Sequence, residues 1–260
     1  MAQNMELQER YSALVEAKLR KTSVFAGLYN NRYEGNPKAG AVKVPVRADA
    51  TASAYDIAQG VQITAPTTTY QTIVLDNDYA VNELIDGYVA AAVPDGLVAD
   101  RLDSAGYALG KKIDDLLVAD LVANGTAAST TATKVYDQII DTIAEAKTVG
   151  VDPNSIWVAV APTCYAELLK SSIFETAATL QEVRVGQIGA LGGVPVVETN
   201  NLTGKQFIVG NSDFCHFVDE FIVPVSVNDL SDGVHIGASA VQGRNIFGFK
   251  LSKANTVFTK

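Results

Sequence analysis

RADATASAYDIAQGVQITAPTTTYQ, from Arg47 to Gln71, is the stretch on which the fold turns. It is rich in Ala, Thr, Ser and Asp and holds few large apolar side chains, so it cannot bury much of itself in a core. It is expected to project from the body, as surface segments do. Both flanks read as strands. Before it, Val42, Val44 and Val46 alternate with Lys43, Pro45 and Arg47; after it, Thr67 to Val74 alternate again, and Tyr79, Val81 and Leu84 continue the pattern. Pro45 has no amide to donate, which confines its strand to an edge or an irregular site. Two strands around a poorly apolar tip describe a long two-stranded arm.

Toward the C-terminus, Leu97 to about Ala123 carries the strongest helical signal. Val98, Leu102, Ala105, Leu109, Ile113, Leu116 and Asp120 recur by threes and fours, and all but the last are apolar. Lys111, Lys112, Asp114 and Asp115 fall off that stripe, and the Asp114-Asp115 pair is expected on the solvated side. Pro94-Asp95 supplies a start signal and Asn124-Gly125 a stop. Such a helix is about 40 Å long and serves as a spine. On the other side of the arm, Met5 to Lys21 reads as a short helix through Leu7, Tyr11, Leu14 and Leu19, ended by the turn-rich segment Asn30 to Gly40.

Beyond a Thr/Ala-rich connector at 126–133, helix and strand alternate. Tyr136 to Thr148 is amphipathic through Ile139, Ile140 and Ile143; Ile156 to Ala161 reads as a buried strand; Pro162 opens a helix to about Lys170. Val194 to Val197 and Phe207 to Val209 are further short strands. From Phe221 the chain is mostly β, in the runs IVPVSVN (222–228), VHIGASAV (234–241) and NIFGFKLSKANTVF (245–258). The fold class is α+β.

Composition narrows the function. Hydrophobic residues make up 48% of the chain and charged ones 19%, thin in charge for a monomer and a hint of buried subunit contacts. The net charge of −9, with no basic run, disfavours gripping a phosphate backbone. The two cysteines, Cys164 and Cys215, argue against a disulfide framework and fit a reducing compartment. The start MAQNMELQERY lacks a signal-peptide pattern, and the most apolar window, YVAAAVPDGLVA (88–99), is interrupted by Pro94 and Asp95. A soluble, intracellular chain without a membrane partner is expected.

Chemistry finds little support. Gly186, Gly189, Gly192 and Gly193 run into Val194-Pro195-Val196-Val197. They lack the close first pair of G-x-G-x-x-G, and a strand follows where a helix is needed, so they read as a tight turn. His216 and Cys215 would point to opposite faces of a strand, and a closed zinc site takes four ligands. Asp76-Asn77-Asp78 begins like a calcium loop but has Ala80 and Val81 where that loop needs a ligand and a glycine. Cys164, at a helix start, has no evident base, and G-x-S-x-G is absent. No catalytic, cofactor-binding or metal-ligating residue is assigned, and no enzyme or cofactor is expected.

The order of elements resembles the major capsid proteins of tailed bacteriophages, the Hong Kong 97-type fold. Tyr33-Glu34-Gly35 and Gly40-Ala41-Val42-Lys43-Val44-Pro45 are similar to the family's way into its extended loop, and Leu75-Asp76-Asn77-Asp78-Tyr79 to the way out. Gly186-Gln187-Ile188-Gly189 with Gly192-Gly193-Val194-Pro195-Val196-Val197, then Phe207-Ile208-Val209-Gly210, resemble its apical-domain segments. The resemblance implies an N-terminal arm at 1–36, an extended β-hairpin loop at 37–78 and a peripheral domain with the spine helix at 79–134. An α/β apical domain at 135–220 and a return to the peripheral domain at 221–260 complete it. It implies a structural protein that self-assembles as pentamers and hexamers, through a procapsid, into the icosahedral head shell of the virion. That shell encloses double-stranded DNA without sequence-specific binding. A portal and a separate scaffolding protein are the implied partners, and the host cytoplasm the place of assembly.

Two departures qualify this. Some members cross-link their shells through a lysine on the extended loop, but residues 47–71 contain none, so that chemistry is expected to be absent at the loop tip. Some carry a long N-terminal assembly domain that a protease removes; few residues precede the arm here, so processing is expected to be absent or small. Encapsulin nanocompartment shells resemble the same fold. The rival of another class is an α/β ligand-binding enzyme built on residues 136–210, which lacks a phosphate loop and a catalytic set.

Overall fold

A computed structural model describes residues 24–32, 40–47, 50–61, 65, 67–87, 97–170, 190–202, 204–230 and 233–260. The helix expected at Met5 to Lys21, the Tyr33-Glu34-Gly35 motif, Pro94-Asp95, Gly186 and Gly189 lie outside the described residues.

The arm is a two-stranded ribbon. Strands β1 (Ala41–Arg47) and β2 (Thr68–Val74) pair antiparallel, from Ala41 opposite Val74 to Arg47 opposite Thr68. No third described strand joins them, so Pro45, opposite Tyr70, sits where a missing donor costs little. Residues 50–59 are exposed throughout. At the root, Val44 and Ile73 turn inward against Leu75 and Val218.

The chain then runs through β3 (Asn77–Ile85), α1 (Leu97–Asn124), β4 (Thr126–Ala127), α2 (Val135–Thr148), β5 (Ile156–Val160) and α3 (Pro162–Leu169). It continues through β6 (Ala190–Leu191), β7 (Val194–Glu198), β8 (Phe207–Asn211), β9 (Cys215–Asp229), β10 (Ser239–Leu251) and β11 (Phe258–Thr259). The alternation read through Thr67 to Leu84 is therefore split at Leu75-Asp76. Its second part, β3, leaves the arm for an antiparallel sheet of order β3-β10-β9.

A second sheet has the order β4-β11-β8-β5-β7-β6, with β5 parallel to β7 and antiparallel to β8. Because β5 is buried on both faces it reads as an unbroken apolar run. Ile156, Val158 and Val160 meet Ile139 and Ile143 of α2 and Leu168 of α3. Trp157 and Ala159 point the other way, to Phe25 and to Leu117, Val118 and Leu121 of α1.

The spine helix has the bounds read from the sequence, but one stripe does not serve its whole length. Ala105, with Leu102, packs against Ile85 and Val241. Farther on, the buried residues are Asp114, Leu117, Val118 and Leu121. At 3.6 residues per turn, Asp114 lies about 180° around the helix from Ala105. The helix passes from the flank of the three-stranded sheet into the space between both sheets, so it is covered on a second side. Asp114 is 1% exposed, which corrects its expected place in solvent.

The C-terminal runs also differ in detail. Strand β9 begins at Cys215 and continues through residues 220 and 221 without a break. Val234-His235-Ile236 is not strand: it lies in the loop before β10, between Gly233 (φ +75°) and Gly237 (φ +70°). Those two left-handed residues turn the chain, and pairing resumes only at Ser239. Strand β11 closes onto β8 and β4.

Candidate functional site

The glycine stretch resolves at its described end. Gly192 (φ +57°) and Gly193 (φ +83°) form the two-residue connection between β6 and β7, with Leu191 opposite Val194. Two successive left-handed residues make the type I′ hairpin turn that matches strand twist. The turn joins strand to strand, so no helix N-terminus stands there to receive a phosphate.

The chemistry-bearing side chains fall in different parts of the fold: Cys164 packs in the cluster under α2 and α3, Cys215 and His216 stand on β9, and Asp78 on β3. Cys164 and Cys215 are both buried; burial pushes the Cys164 thiol up and lifts Cys215 to about 12, so neither presents a thiolate near neutrality. His216 is buried on β9 beside Asn30, and burial pulls its pKa down against the opposing pull of Asp213. Asp78 is engaged by Arg244, whose Nε donates to Oδ1 at 2.8 Å and which holds that carboxyl below its ordinary range. Among the described residues, no three His, Cys, Asp or Glu gather as a metal site, and no helix is long and apolar enough to cross a membrane. Two clefts, of about 90 Å³ beside Phe214 and Lys253 and about 170 Å³ beside Tyr29 and Asp213, are small against the roughly 300–1,000 Å³ of ordinary ligand pockets.

What the fold presents is surface. The exposed large apolar side chains are Tyr55, Ile57, Val61, Tyr70 and Val74 on the arm, and Leu84, Ile222, Val227, Val234 and Ile236 on the three-stranded sheet and its loop. Val149 alone, among the described residues, lies elsewhere. At the arm tip the Asp56 carboxylate accepts the amides of Ala58 (2.6 Å) and Gln59 (3.1 Å), and the Gly60 amide donates to the Asp56 carbonyl (2.8 Å). This self-bonded turn holds up Ile57, 96% exposed. The outer face of the three-stranded sheet carries a polar ladder, with Asn228 Nδ2 donating to Gln242 Oε1 (3.2 Å) and Gln242 Nε2 to Asn82 Oδ1 (3.3 Å).

Sequence reasoning located the arm but not its apolar knob, because Tyr55 and Ile57 are isolated in a polar block. It also missed the role of Asp114. Its Oδ1 accepts the amides of Val24 (3.1 Å) and Phe25 (2.7 Å), and its Oδ2 accepts Asn201 Nδ2 (3.1 Å). No local pattern signals partners so distant in the chain.

The described residues form an α+β fold with a projecting ribbon, a spine helix between two sheets, and exposed apolar residues grouped on the ribbon and on the three-stranded sheet with its loop. The family of phage capsid proteins matches residues 69–257, and the chain belongs to it. A search of curated proteins returns no match. Among solved structures the chain is similar to one from Mycobacterium phage Che8, at 23% identity and TM-score 0.82, over 99% of this chain and 98% of that one. It is also similar to the capsid structure of cyanophage P-SCSP1u (13% identity, TM-score 0.79, 97% and 91% covered). A third likeness is to the mature capsid of bacteriophage PhiM1 (15% identity, TM-score 0.71, 97% and 91% covered). The fold is the Hong Kong 97-type capsid fold, and the chain is a structural protein of a phage capsid shell.

Proposed function

We propose that this chain is the major subunit of an icosahedral head, self-assembling as pentamers and hexamers around the double-stranded DNA of a tailed phage. The observation that carries the reading is the distribution of exposed apolar residues. Ten of the eleven described belong to the arm, the three-stranded sheet and the loop before β10, and only Val149 lies outside them. A soluble chain rarely leaves such residues grouped on projecting elements unless another chain covers them. The arm, at 37–78, lies on a neighbouring copy; the spine region at 79–134 and the α/β region at 135–220 form the wall. A contact in which one face of a copy meets a different face of the next is head-to-tail, which generates a closed ring where the rotation between copies closes.

The net charge of −9 supports a wall that encloses DNA without gripping its phosphate backbone. A scaffolding protein and a portal are the proposed partners, and assembly takes place in the host cytoplasm. No lysine lies in residues 47–71, so the arm tip forms no lysine cross-link; mature particles should give monomer-sized bands on denaturing electrophoresis.

Negative-stain electron microscopy of the chain alone, and co-expressed with its neighbouring genes, tests the reading. Shells, tubes or capsomer rings are expected. A uniform monomer or dimer under both conditions would overturn it, and cargo density inside closed particles would redirect it to a nanocompartment.

A further inference from the structure

We infer that the root of the arm is a clamp, built on Gly248 and Lys250 of β10, that fixes the direction of the arm before another copy is met. Strand β2 ends where it crosses β10, and there Gly248 leaves a dent. A Cβ at Gly248 would press on the Val74 carbonyl oxygen and come within 2.9 Å of Leu75 Cδ2. A glycine in a strand interior marks just such a close approach of another backbone. Two residues along the same face, Lys250 Nζ donates to the Thr72 carbonyl at 2.9 Å. From the other side, Gln71 Nε2 donates to the Ser252 carbonyl at 3.2 Å.

The mouth of the ribbon is closed as well. The Leu75 amide donates to the Gly40 carbonyl at 3.1 Å, and Val44, Ile73 and Leu75 share a buried cluster with Val218, which is paired with Gly248. Attachments on several sides prevent rotation about any one of them. Farther out the pattern changes. Thr69 Oγ1 bonds back to the Val46 carbonyl within the ribbon, and among the described residues the turn at Asp56 to Gly60 bonds only within itself. The described ties between arm and sheet therefore end at Gln71, and bending is placed in the described tip, residues 50–61. The arm acts as a lever with a fixed root and a compliant tip, and its angle to the sheet is a property of the single chain.

Spin labels test this on the full-length chain at concentrations too low to assemble, so the result does not depend on shell formation. Labels at Thr69→Cys and Ala119→Cys read the root; labels at Ser53→Cys and Ala119→Cys read the tip. The native cysteines are buried and stay unlabelled. The root pair should give a narrow distance distribution and the tip pair a broad one. Lys250→Met should roughly double the width of the root distribution, since a locally opened attachment exchanges among orientations, and Gly248→Ala should widen or displace it further. A root distribution as broad as that of the tip, or one that Lys250→Met leaves unchanged, would overturn the inference. If Gly248→Ala yields no folded protein, Lys250→Met decides alone.

Discussion

The Asp114 carboxylate accepts the Phe25 amide at 2.7 Å although 89 residues separate them. The same oxygen takes the Val24 amide, and the other takes Asn201 Nδ2. Phe25 is fully buried and meets the Trp157 ring edge-on, with centroids 6.0 Å apart. One side chain thus joins the N-terminal segment, the spine helix and the loop after β7. Asp114→Ala leaves two backbone amides without their acceptor and should cost about 2–4 kcal/mol. It should appear as a lower denaturant midpoint at unchanged slope. Asp114→Asn keeps one carbonyl oxygen and should lose less.

The same residue marks where sequence reading stops. The bounds of the spine helix, the ribbon, the buried β5 and the proline-opened α3 all follow from local periodicity and turn chemistry, and the structure places them there. A helical wheel, however, sees one stripe, and α1 is covered on two sides because Phe25 and Trp157 arrive from elsewhere in the chain. Val234-His235-Ile236 has strand-like composition, yet the left-handed Gly233 and Gly237 turn it into a loop. The arm was legible as a weakly apolar projection; its knob at Ile57 was not, since exposure follows from a turn that Asp56 bonds locally.

Gly210 makes a second constraint measurable. It lies opposite Trp157 across β8 and β5, and a Cβ there would approach Trp157 Cε2 to 2.9 Å and other ring atoms more closely. Gly210→Ala must displace the indole or the strand, an overpacking cost of about 1–3 kcal/mol. Trp157 is the only tryptophan, so fluorescence reports the site alone. The emission of folded Gly210→Ala should shift, and its thermal midpoint should fall.

Asp120 is a carboxylate whose burial raises its pKa, opposed by the hydrogen bond from Asn124 Nδ2 at 2.7 Å. Its Oδ2 is buried and has no hydrogen-bond partner among the described residues. A folded-state pKa above the unfolded one means the folded state binds the proton more tightly. Its contribution to stability is full below the ordinary aspartate range and is lost as pH rises through the raised value. Asp120→Asn keeps an acceptor for Asn124 and removes the charge. It should therefore be more stable than the parent at neutral pH, with the difference shrinking to nothing in acid. A gain that is constant with pH would show that the charge is not its source.

The arm and the spine should separate cleanly in their effects. Leu109 is half-buried, with its Cδ1 close over Gly243 of β10, so Leu109→Asp sets a charge against that sheet and should cost about 2–4 kcal/mol. Ile57 touches little in its own chain, and Ile57→Asp should change stability by no more than about 0.5 kcal/mol. Asp56→Arg is a less clean probe of the arm, because it also removes the acceptor that shapes the tip turn. Circular dichroism melts should place Ile57→Asp beside the parent and Leu109→Asp well below it. Light scattering under assembling conditions should then show Ile57→Asp remaining as small species while the parent grows into shells. Growth of Ile57→Asp at the parental rate would remove the arm tip from the contact, and equal insolubility of both variants would mean that the arm is not an independent element.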